Sequence, residues 1–220
     1  MKNSHSRTPK QNRSRESFDR VLAAAADLLR RGGVQAITLT EVSRRSKVSI
    51  GSIYCRVDGK KDLLRAVQER VLDEMDKEFS GVVNKLRRRA MPLKDLIPAL
   101  VKEQAEFLER HLLLLNAFIE QARKDPVIGV VGRKHYSQAA LDFKLLLLER
   151  HSEFTHPDPE RAAAVSFEIV YGTLARTIGL GERRDVGGVA ASGVRQLIED
   201  LGQVLVVFLT TNPGKPARGA

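Results

Sequence analysis

The stretch from Thr38 to Leu63 constrains the fold of this chain more than any other, and it reads TLTEVSRRSKVSIGSIYCRVDGKKDL. It holds two short helical segments separated by the break Ser46–Val48. The first begins with Thr38, which forms a capping box with Glu41 three residues later. The second opens at Ser49, whose hydroxyl is placed to cap the next backbone amides.

Neither segment is long enough to be a stable isolated helix, because isolated helices need about 12–15 residues even in good sequences. Each must bury apolar anchors in a shared core, and the candidate anchors are Leu39, Val42, Val48, Ile53 and Val57. Two short helices that share a core across a tight turn indicate a helix-turn-helix. The second helix of such a motif enters the major groove of DNA.

The same stretch resembles the DNA-binding domain of the tetracycline-repressor (TetR) family of transcriptional regulators. The chain matches the family pattern in register at Thr38, Val42, Val48, Ser49, Gly51, Ser52, Ile53, Tyr54, Gly59, Lys60 and Leu63. It departs from the pattern at four positions. The family usually has Ala in place of Ser43 and Gly in place of Lys47. It usually has His or Tyr in place of Arg56, and often Phe in place of Val57. Lys47 takes a turn position that favours glycine and a positive φ, so we expect some backbone strain there.

Four DNA-backbone contacts are implied by the resemblance alone. The matching family residues touch phosphates, and here they are Thr38, Thr40, Tyr54 (through its hydroxyl) and Lys60. Affinity would come mainly from such phosphate contacts, and specificity from contacts to base edges.

Further contacts are expected from the chemistry of the two short helices. Ser49 and the adjoining amides can hydrogen-bond phosphate. Arg44 and Arg45 lie on the exposed face of the first helix, where backbone contacts are favoured. The second helix presents five residues to the groove: Ile50, Gly51, Ser52, Cys55 and Arg56.

Three of these groove residues suit particular roles. Ile50 suits a thymine methyl group, Gly51 lets the backbone approach closely, and Arg56 suits either a guanine or a phosphate. The lone cysteine, Cys55, is interpreted as a small side chain that fits the groove, in preference to a redox sensor.

The charge of the chain is concentrated near this motif. Residues 1–60 hold 13 Lys and Arg against five Asp and Glu, whereas residues 61–220 hold 24 against 22. A basic excess beside a helix-turn-helix is typical of a surface that binds polyphosphate. The alternative is a basic tail that only aids solubility.

Apolar periodicity predicts an all-α fold with no strand signal. The predicted helices outside the motif are Ser17–Arg31, Lys60–Ala90, Leu93–Arg123 with a break near His111, Val127–Ser152, Glu160–Leu180 and Val186–Thr211. We therefore predict an N-terminal three-helix helix-turn-helix domain at residues 15–61 and a C-terminal helical ligand-binding and dimerisation domain at 62–211. Residues 1–14 are predicted to be a disordered basic arm, and 212–220 a disordered tail.

The resemblance implies that the second domain forms a homodimer and binds a small-molecule effector. Aromatic candidates for a ligand pocket are Phe107, His111, Phe118, Tyr136, Phe143, Phe167 and Tyr171, although aromatic residues at helical spacing are more often plain core. Candidates for the dimer interface on the last two helices are Val165, Ile169, Gly172, Val194, Leu197, Leu201, Val204, Leu205 and Phe208, although an apolar face can equally be core.

Enzymes and metal proteins are the main competing classes. The five histidines show no metal-ligand spacing, and no phosphate loop or nucleophile elbow occurs, so we predict neither catalysis nor a metal or other cofactor. One cysteine fits a reducing cytoplasm, and we expect neither a signal peptide nor a membrane span.

The sequence thus predicts a cytoplasmic, nucleoid-associated regulator that binds a palindromic DNA operator, and a repressor released by a small molecule. An activator, or an architectural binder without a ligand, would carry the same DNA-binding motif.

Overall fold

The computed structural model describes residues 9–181 and 191–212, and these ranges contain helices and no strand. The α-helices of the described chain are α1 Pro9–Gly32, α2 Leu39–Ser46, α3 Ile50–Tyr54, α4 Lys60–Arg88, α5 Leu93–Ala122, α6 Pro126–Leu148, α7 Pro159–Thr177 and α8 Ala191–Thr210. Short 3-10 turns lie at Val34–Ala36 and His151–Glu153. This is the all-α fold that the sequence predicts. Within the described ranges, no helix combines the length and apolar character needed to cross a membrane.

The chain divides into two compact units. The first contains the residues up to Asp73 together with Ala117–Val131, and the second contains Glu74–Asn116 together with the residues from Gly132 onward. Helices α4, α5 and α6 therefore contribute residues to both units. The first unit includes the whole segment predicted as the DNA-binding domain and extends beyond it, and the boundary predicted after residue 61 stays a prediction.

The core of the first unit is built from the anchors that the sequence predicts. Val42 and Ile53 are fully buried, Val48 and Val57 are buried, and Leu39 is half-buried. They share this core with the apolar stripe of α1 and the start of α4, whose buried residues include Val21, Ala25, Leu28, Leu29, Leu63 and Val67. The two short helices are stable because they bury these anchors together, which neither could do alone.

An ion pair between the half-buried Arg65 of α4 and the buried Asp125 fixes the corner between α5 and α6 within the first unit. The Arg65 guanidinium donates to both carboxylate oxygens of Asp125, at 2.8 and 3.0 Å, and Asp125 also accepts from the backbone N–H of Val127 at 3.2 Å. The Arg65 guanidinium is the main reason that the pKa of Asp125 lies below its usual range. Gln68 adds a bond from its amide to the carbonyl of Ile128 at 3.0 Å.

The second unit is a helical bundle with its own apolar core. Its fully buried side chains include Phe79, Leu86, Leu93, Ile97, Leu100, Leu108, Phe143 and Phe167. Polar contacts tie α4 to α6 and to the residue that follows it: Ser80 donates to Asp142 at 2.7 Å, and Arg87 donates to Glu149 at 2.6 Å.

The start of α1 corrects one prediction from the sequence. The helix begins at Pro9, whereas the sequence predicts a disordered arm through residue 14 and a helix from Ser17. Residues 10–16 lack the apolar periodicity that marks a packed helix, but most are good helix formers, and proline is tolerated in a first turn. Residues 1–8 of the predicted arm lie outside the described residues, as do 213–220 of the predicted tail.

Helix ends in the second unit also differ from the predictions. Helix α5 runs unbroken through His111, so the predicted break there is wrong. Helix α6 ends at Leu148 before a 3-10 turn, not at Ser152. Helix α7 ends at Thr177, not at Leu180, because Gly179 adopts a φ of 74° that terminates a right-handed helix. The first residues of the predicted helix Val186–Thr211 lie outside the described residues, and α8 begins at Ala191 where the description resumes.

Candidate DNA-binding surface

Both short helices are started by the side chains that the sequence predicts. The Thr38 hydroxyl accepts from the backbone N–H of Glu41 at 3.1 Å, and the Ser49 hydroxyl accepts from that of Ser52 at 3.2 Å. Each bond satisfies an amide that the helix itself leaves without a partner. The Glu41 carboxylate, in contrast, is engaged by arginines, so only the Thr38 half of the predicted capping box is seen.

The turn between the helices passes through a left-handed residue. Lys47 has a φ of 56° and a ψ of 36°, which confirms that this position needs the conformation that favours glycine. Ser43, a second departure from the family pattern, donates its hydroxyl to the carbonyl of Val48 at 2.7 Å. This bond spans the turn and helps to hold it closed over the strained residue.

Replacing Lys47 with glycine is expected to raise the free energy of unfolding by about 0.5–1 kcal/mol. A left-handed conformation costs a non-glycine residue about 1–2 kcal/mol, and the greater entropy of the unfolded glycine chain offsets roughly half of this gain. Urea denaturation measures the change. Lys47→Ala is the control, because it removes the charge and keeps the Cβ atom. An equal gain in that variant would show that charge repulsion, not strain, destabilises the turn.

The two arginines of α2 are held by carboxylates. Arg44 donates to Glu41 at 2.6 and 2.8 Å, and Arg45 donates to Glu41 at 2.9 Å while also bonding Asp27 of α1. The arginine hydrogen bonds, that of Arg44 first, lower the pKa of Glu41 to about 2. The pKa of Asp27 is also lowered, mainly by its bond to Arg31. Arg45 therefore ties α2 to α1, whereas Arg44 is the more exposed cation of the pair.

Acid should weaken the fold through Glu41. Its pKa falls from an ordinary value of 4.5 to about 2 on folding, so its stabilisation is complete above 4.5 and is lost as the pH falls toward 2. We expect the melting temperature of the wild type to fall across this window more steeply than that of Glu41→Gln, which has no carboxylate to protonate. Thermal unfolding followed by circular dichroism at a series of pH values compares them. Parallel curves would contradict the assignment.

All twelve residues predicted to contact DNA are exposed on the first unit. They are Thr38, Thr40, Arg44, Arg45, Ser49, Ile50, Gly51, Ser52, Tyr54, Cys55, Arg56 and Lys60. Two of them have large hydrophobic side chains that are nonetheless exposed: Ile50 is 38% and Tyr54 is 53% exposed. Exposed apolar surface on a helix of five residues is available for contact with a partner. Contact of these residues with DNA stays a prediction.

Arg56 does not extend freely from the second helix. Its guanidinium donates to the hydroxyl of Ser14 and lies 5.5 Å from the ring centroid of Phe18, and both partners belong to α1. The sequence offers no signal for this contact, because Arg56 and Ser14 are 42 residues apart. The sequence analysis missed Ser14, Asp27 and the bond of Ser43 across the turn.

Comparison with known proteins identifies this domain. Residues 21–67 match the family model of the bacterial regulatory proteins of the tetR family, and this range contains the whole capped motif. The chain carries the DNA-binding domain of the TetR family. No curated protein matches the chain in sequence.

Solved structures share the fold over most of the chain. A structure from Mesorhizobium loti, assigned to the TetR family of transcriptional regulators, has a TM-score of 0.74 at 15% identity and covers 90% of this chain and 99% of its own. A transcriptional regulator from Rhodococcus sp. has a TM-score of 0.60 at 18% identity, covering 87% and 94%. The transcriptional regulator FadR from Bacillus subtilis, in complex with stearoyl-CoA, has a TM-score of 0.57 at 12% identity, covering 87% and 97%.

The second unit has a cavity of about 1060 Å³. Helix α5, the end of α7 and the start of α8 line it, and its walls are apolar at Leu112, Ile178, Val194 and Ile198. Charged residues of both signs, including Lys102, Glu106 and Arg195, also line it. Among the described residues, no group of three or more His, Cys, Asp and Glu side chains is placed to hold a metal ion.

The aromatic residues predicted to line a ligand pocket lie elsewhere. None of the seven lines this cavity. Phe107, Phe118, Phe143 and Phe167 are buried, and Phe118 belongs to the first unit. The other three are half-buried and have partners in the second unit: His111 lies 2.9 Å from a Glu78 carboxylate oxygen, Tyr136 donates to Glu168 at 2.8 Å, and Tyr171 contacts the rings of Tyr136 and Phe167. Burial and Glu168 raise the pKa of Tyr136. A role for these residues in ligand binding stays a prediction.

Proposed function

We propose that the protein is a sequence-specific transcriptional repressor that binds a palindromic operator as a homodimer and leaves it when a small molecule occupies the second unit. The observation that supports this most is the capped helix-turn-helix, which exposes all twelve candidate DNA contacts on one domain of a known DNA-binding family. Such a regulator acts on the nucleoid in the cytoplasm.

Base recognition is assigned to α3. Its buried side is anchored by Ile53, and its outer side presents Ile50, Gly51 and Ser52. The exposed Thr38, Tyr54 and Lys60 are expected to contact phosphates on either side of the groove. This division gives the domain one helix that discriminates sequence and flanking groups that supply affinity.

The dimer interface is assigned to the outer faces of α7 and α8. Val204 and Val207 are 58% and 60% exposed on one face of α8, and Gly172 is exposed on α7. Val165, Ile169, Val194, Leu197 and Phe208 are half-buried. Leu201 and Leu205, also predicted for the interface, are buried in their own unit, and Val207 is an exposed residue that the sequence analysis missed.

The effector is assigned to the cavity beside α5 and α8. Its volume of about 1060 Å³ exceeds what a small drug-sized ligand needs. Apolar walls beside Lys102 and Arg195 suit a ligand with an aliphatic part and an anionic group. The dimer has one conformation that spans the two half-sites of the operator and another that does not. A ligand that binds the second conformation more tightly lowers DNA affinity, at most by the ratio of its affinities for the two conformations.

In vitro selection from a random DNA pool tests the proposal, followed by fluorescence anisotropy on the selected duplex and a scrambled one. We expect a preference of about 10³ or more at physiological salt, because specific readers show at least this gap. Equal, steeply salt-dependent binding to both duplexes would contradict specific recognition. Fatty acyl-CoA thioesters are the first ligands to add, since FadR from B. subtilis binds stearoyl-CoA. Failure of every ligand to release DNA would contradict effector control, but it would not contradict the proposal of specific DNA binding.

A further inference from the structure

A groove of about 260 Å³ runs between the start of α1 and the recognition helix α3, within the first unit. Its lining residues are Arg13, Ser14, Ser17, Phe18, Val21, Val48, Ser52 and Arg56. Two arginines and three hydroxyl groups are thus set against an apolar floor, and none of the lining residues is acidic. This composition suits a small anion.

Arg56 joins the two walls of the groove. Its guanidinium bonds Ser14 and lies over the ring of Phe18, so a residue at the end of α3 holds the early part of α1. The TetR pattern usually has His or Tyr at this position, so the guanidinium is a departure of this chain from the family pattern. A planar guanidinium suits the site because it can stack on a ring and donate in its own plane at once.

The groove retains free hydrogen-bonding capacity after these contacts. Arg56 has five N–H groups, and one of them is directed at Ser14. Ser14 accepts in that bond, so its own O–H remains able to donate. Ser17, in contrast, donates to the carbonyl of Arg13 and is not counted as a donor. The Arg13 side chain is exposed at the same groove.

We propose that Arg56 is a positioning residue that fixes the start of α1 beside α3, and that the groove binds one phosphate of the DNA backbone between Arg13, Ser14 and Arg56. The inference rests on the proposed function, because the phosphate belongs to the bound operator. It extends the DNA-binding surface beyond the helix-turn-helix to the first turns of α1. It also assigns Arg56 to the backbone and not to a guanine.

Charge-removing variants test the phosphate contact. Arg13→Gln and Arg56→Gln should each weaken binding to selected and scrambled duplexes by the same factor, about three- to tenfold, and reduce the slope of log affinity against log salt by about 1. Arg15→Gln is the matched control: the residue is exposed on the same helix, does not line the groove and faces away from Arg13, so a smaller change is expected. A loss confined to the selected duplex in Arg56→Gln would make Arg56 a base reader and overturn the proposal.

Hydrogen exchange tests the positioning role separately. In Arg56→Gln and Phe18→Leu, amides in the first turns of α1 should exchange faster than in the wild type, whereas Arg13→Gln should leave them unchanged. Unchanged exchange in Arg56→Gln would overturn the positioning role.

A competition experiment distinguishes a phosphate of DNA from free inorganic phosphate as the ligand of the groove. Inorganic phosphate should displace the duplex no better than chloride at equal ionic strength. Displacement from the wild type but not from Arg13→Gln would assign the groove to free phosphate and overturn the DNA contact. Loss of DNA binding by the wild type itself would refute the proposed function, whereas normal binding by wild type and both groove variants would refute this inference alone.

Discussion

Gly51→Leu is expected to reduce affinity for the selected operator by about a hundredfold or more while making the protein more stable. The expected loss is large because the specific complex typically exceeds random binding by about 10³–10⁷, and a side chain that holds α3 away from the bases removes much of that gap. Binding to a scrambled duplex should change little, since the phosphate-contacting residues on the flanks remain.

The fold itself has room for the new side chain. A Cβ atom built at Gly51 meets no atom within 4 Å, and the residue is exposed near the start of α3. Leucine is a better helix former than glycine, so the free energy of unfolding should rise by about 0.5–1 kcal/mol. Opposite signs for stability and operator affinity separate a DNA-contact position from a position needed for folding.

Gly81→Leu is the matched control for this experiment. Gly81 is also an exposed helical glycine with no atom within 4 Å of a built Cβ, but it lies in the part of α4 that belongs to the second unit. It should show a similar gain in urea resistance with unchanged operator affinity. Unchanged operator affinity in Gly51→Leu would show that α3 does not approach DNA at this residue, and it would refute the assignment of base recognition to α3.

The helix-turn-helix could be predicted in detail because its determinants are local. The capping hydroxyls of Thr38 and Ser49 act three residues ahead, and the left-handed turn falls on the residue where the family pattern has glycine. Buried anchors recur at helical spacing. Each of these relations is contained within a few residues, so the sequence displays it directly.

Contacts between distant residues could not be predicted in this way. The bond between Arg56 and Ser14 and the ion pair between Arg65 and Asp125 depend on the packing of separate helices. The same limit applies to Leu201 and Leu205, whose burial within their own unit was not predicted. Periodicity identifies an apolar helix, but it does not show which of its faces is covered by the same chain.

Changing the exposed valines of α8, Val204 and Val207, is expected to reduce both dimerisation and operator affinity. The double variant Val204→Asp with Val207→Asp is expected to be monomeric and to bind the operator about 10²–10⁴-fold more weakly than the wild type, because a dimer gains that much from engaging two half-sites at once. Two like charges facing their symmetry mates in an apolar interface also disfavour association directly. Analytical ultracentrifugation measures the dimer, and anisotropy on full and half operators measures binding.

The half operator separates loss of dimerisation from damage to the DNA-binding domain. The double variant should bind a single half-site as the wild-type subunit does, because the changed residues lie in the second unit. Val130→Asp is the control for introducing an acidic residue at an exposed valine, since Val130 is 57% exposed on α6, and it should remain dimeric. A double variant that stays dimeric would contradict the interface assigned to α8. A monomer that retained full operator affinity would instead show that recognition needs only one copy of the domain. That result would also contradict the proposal of a palindromic operator.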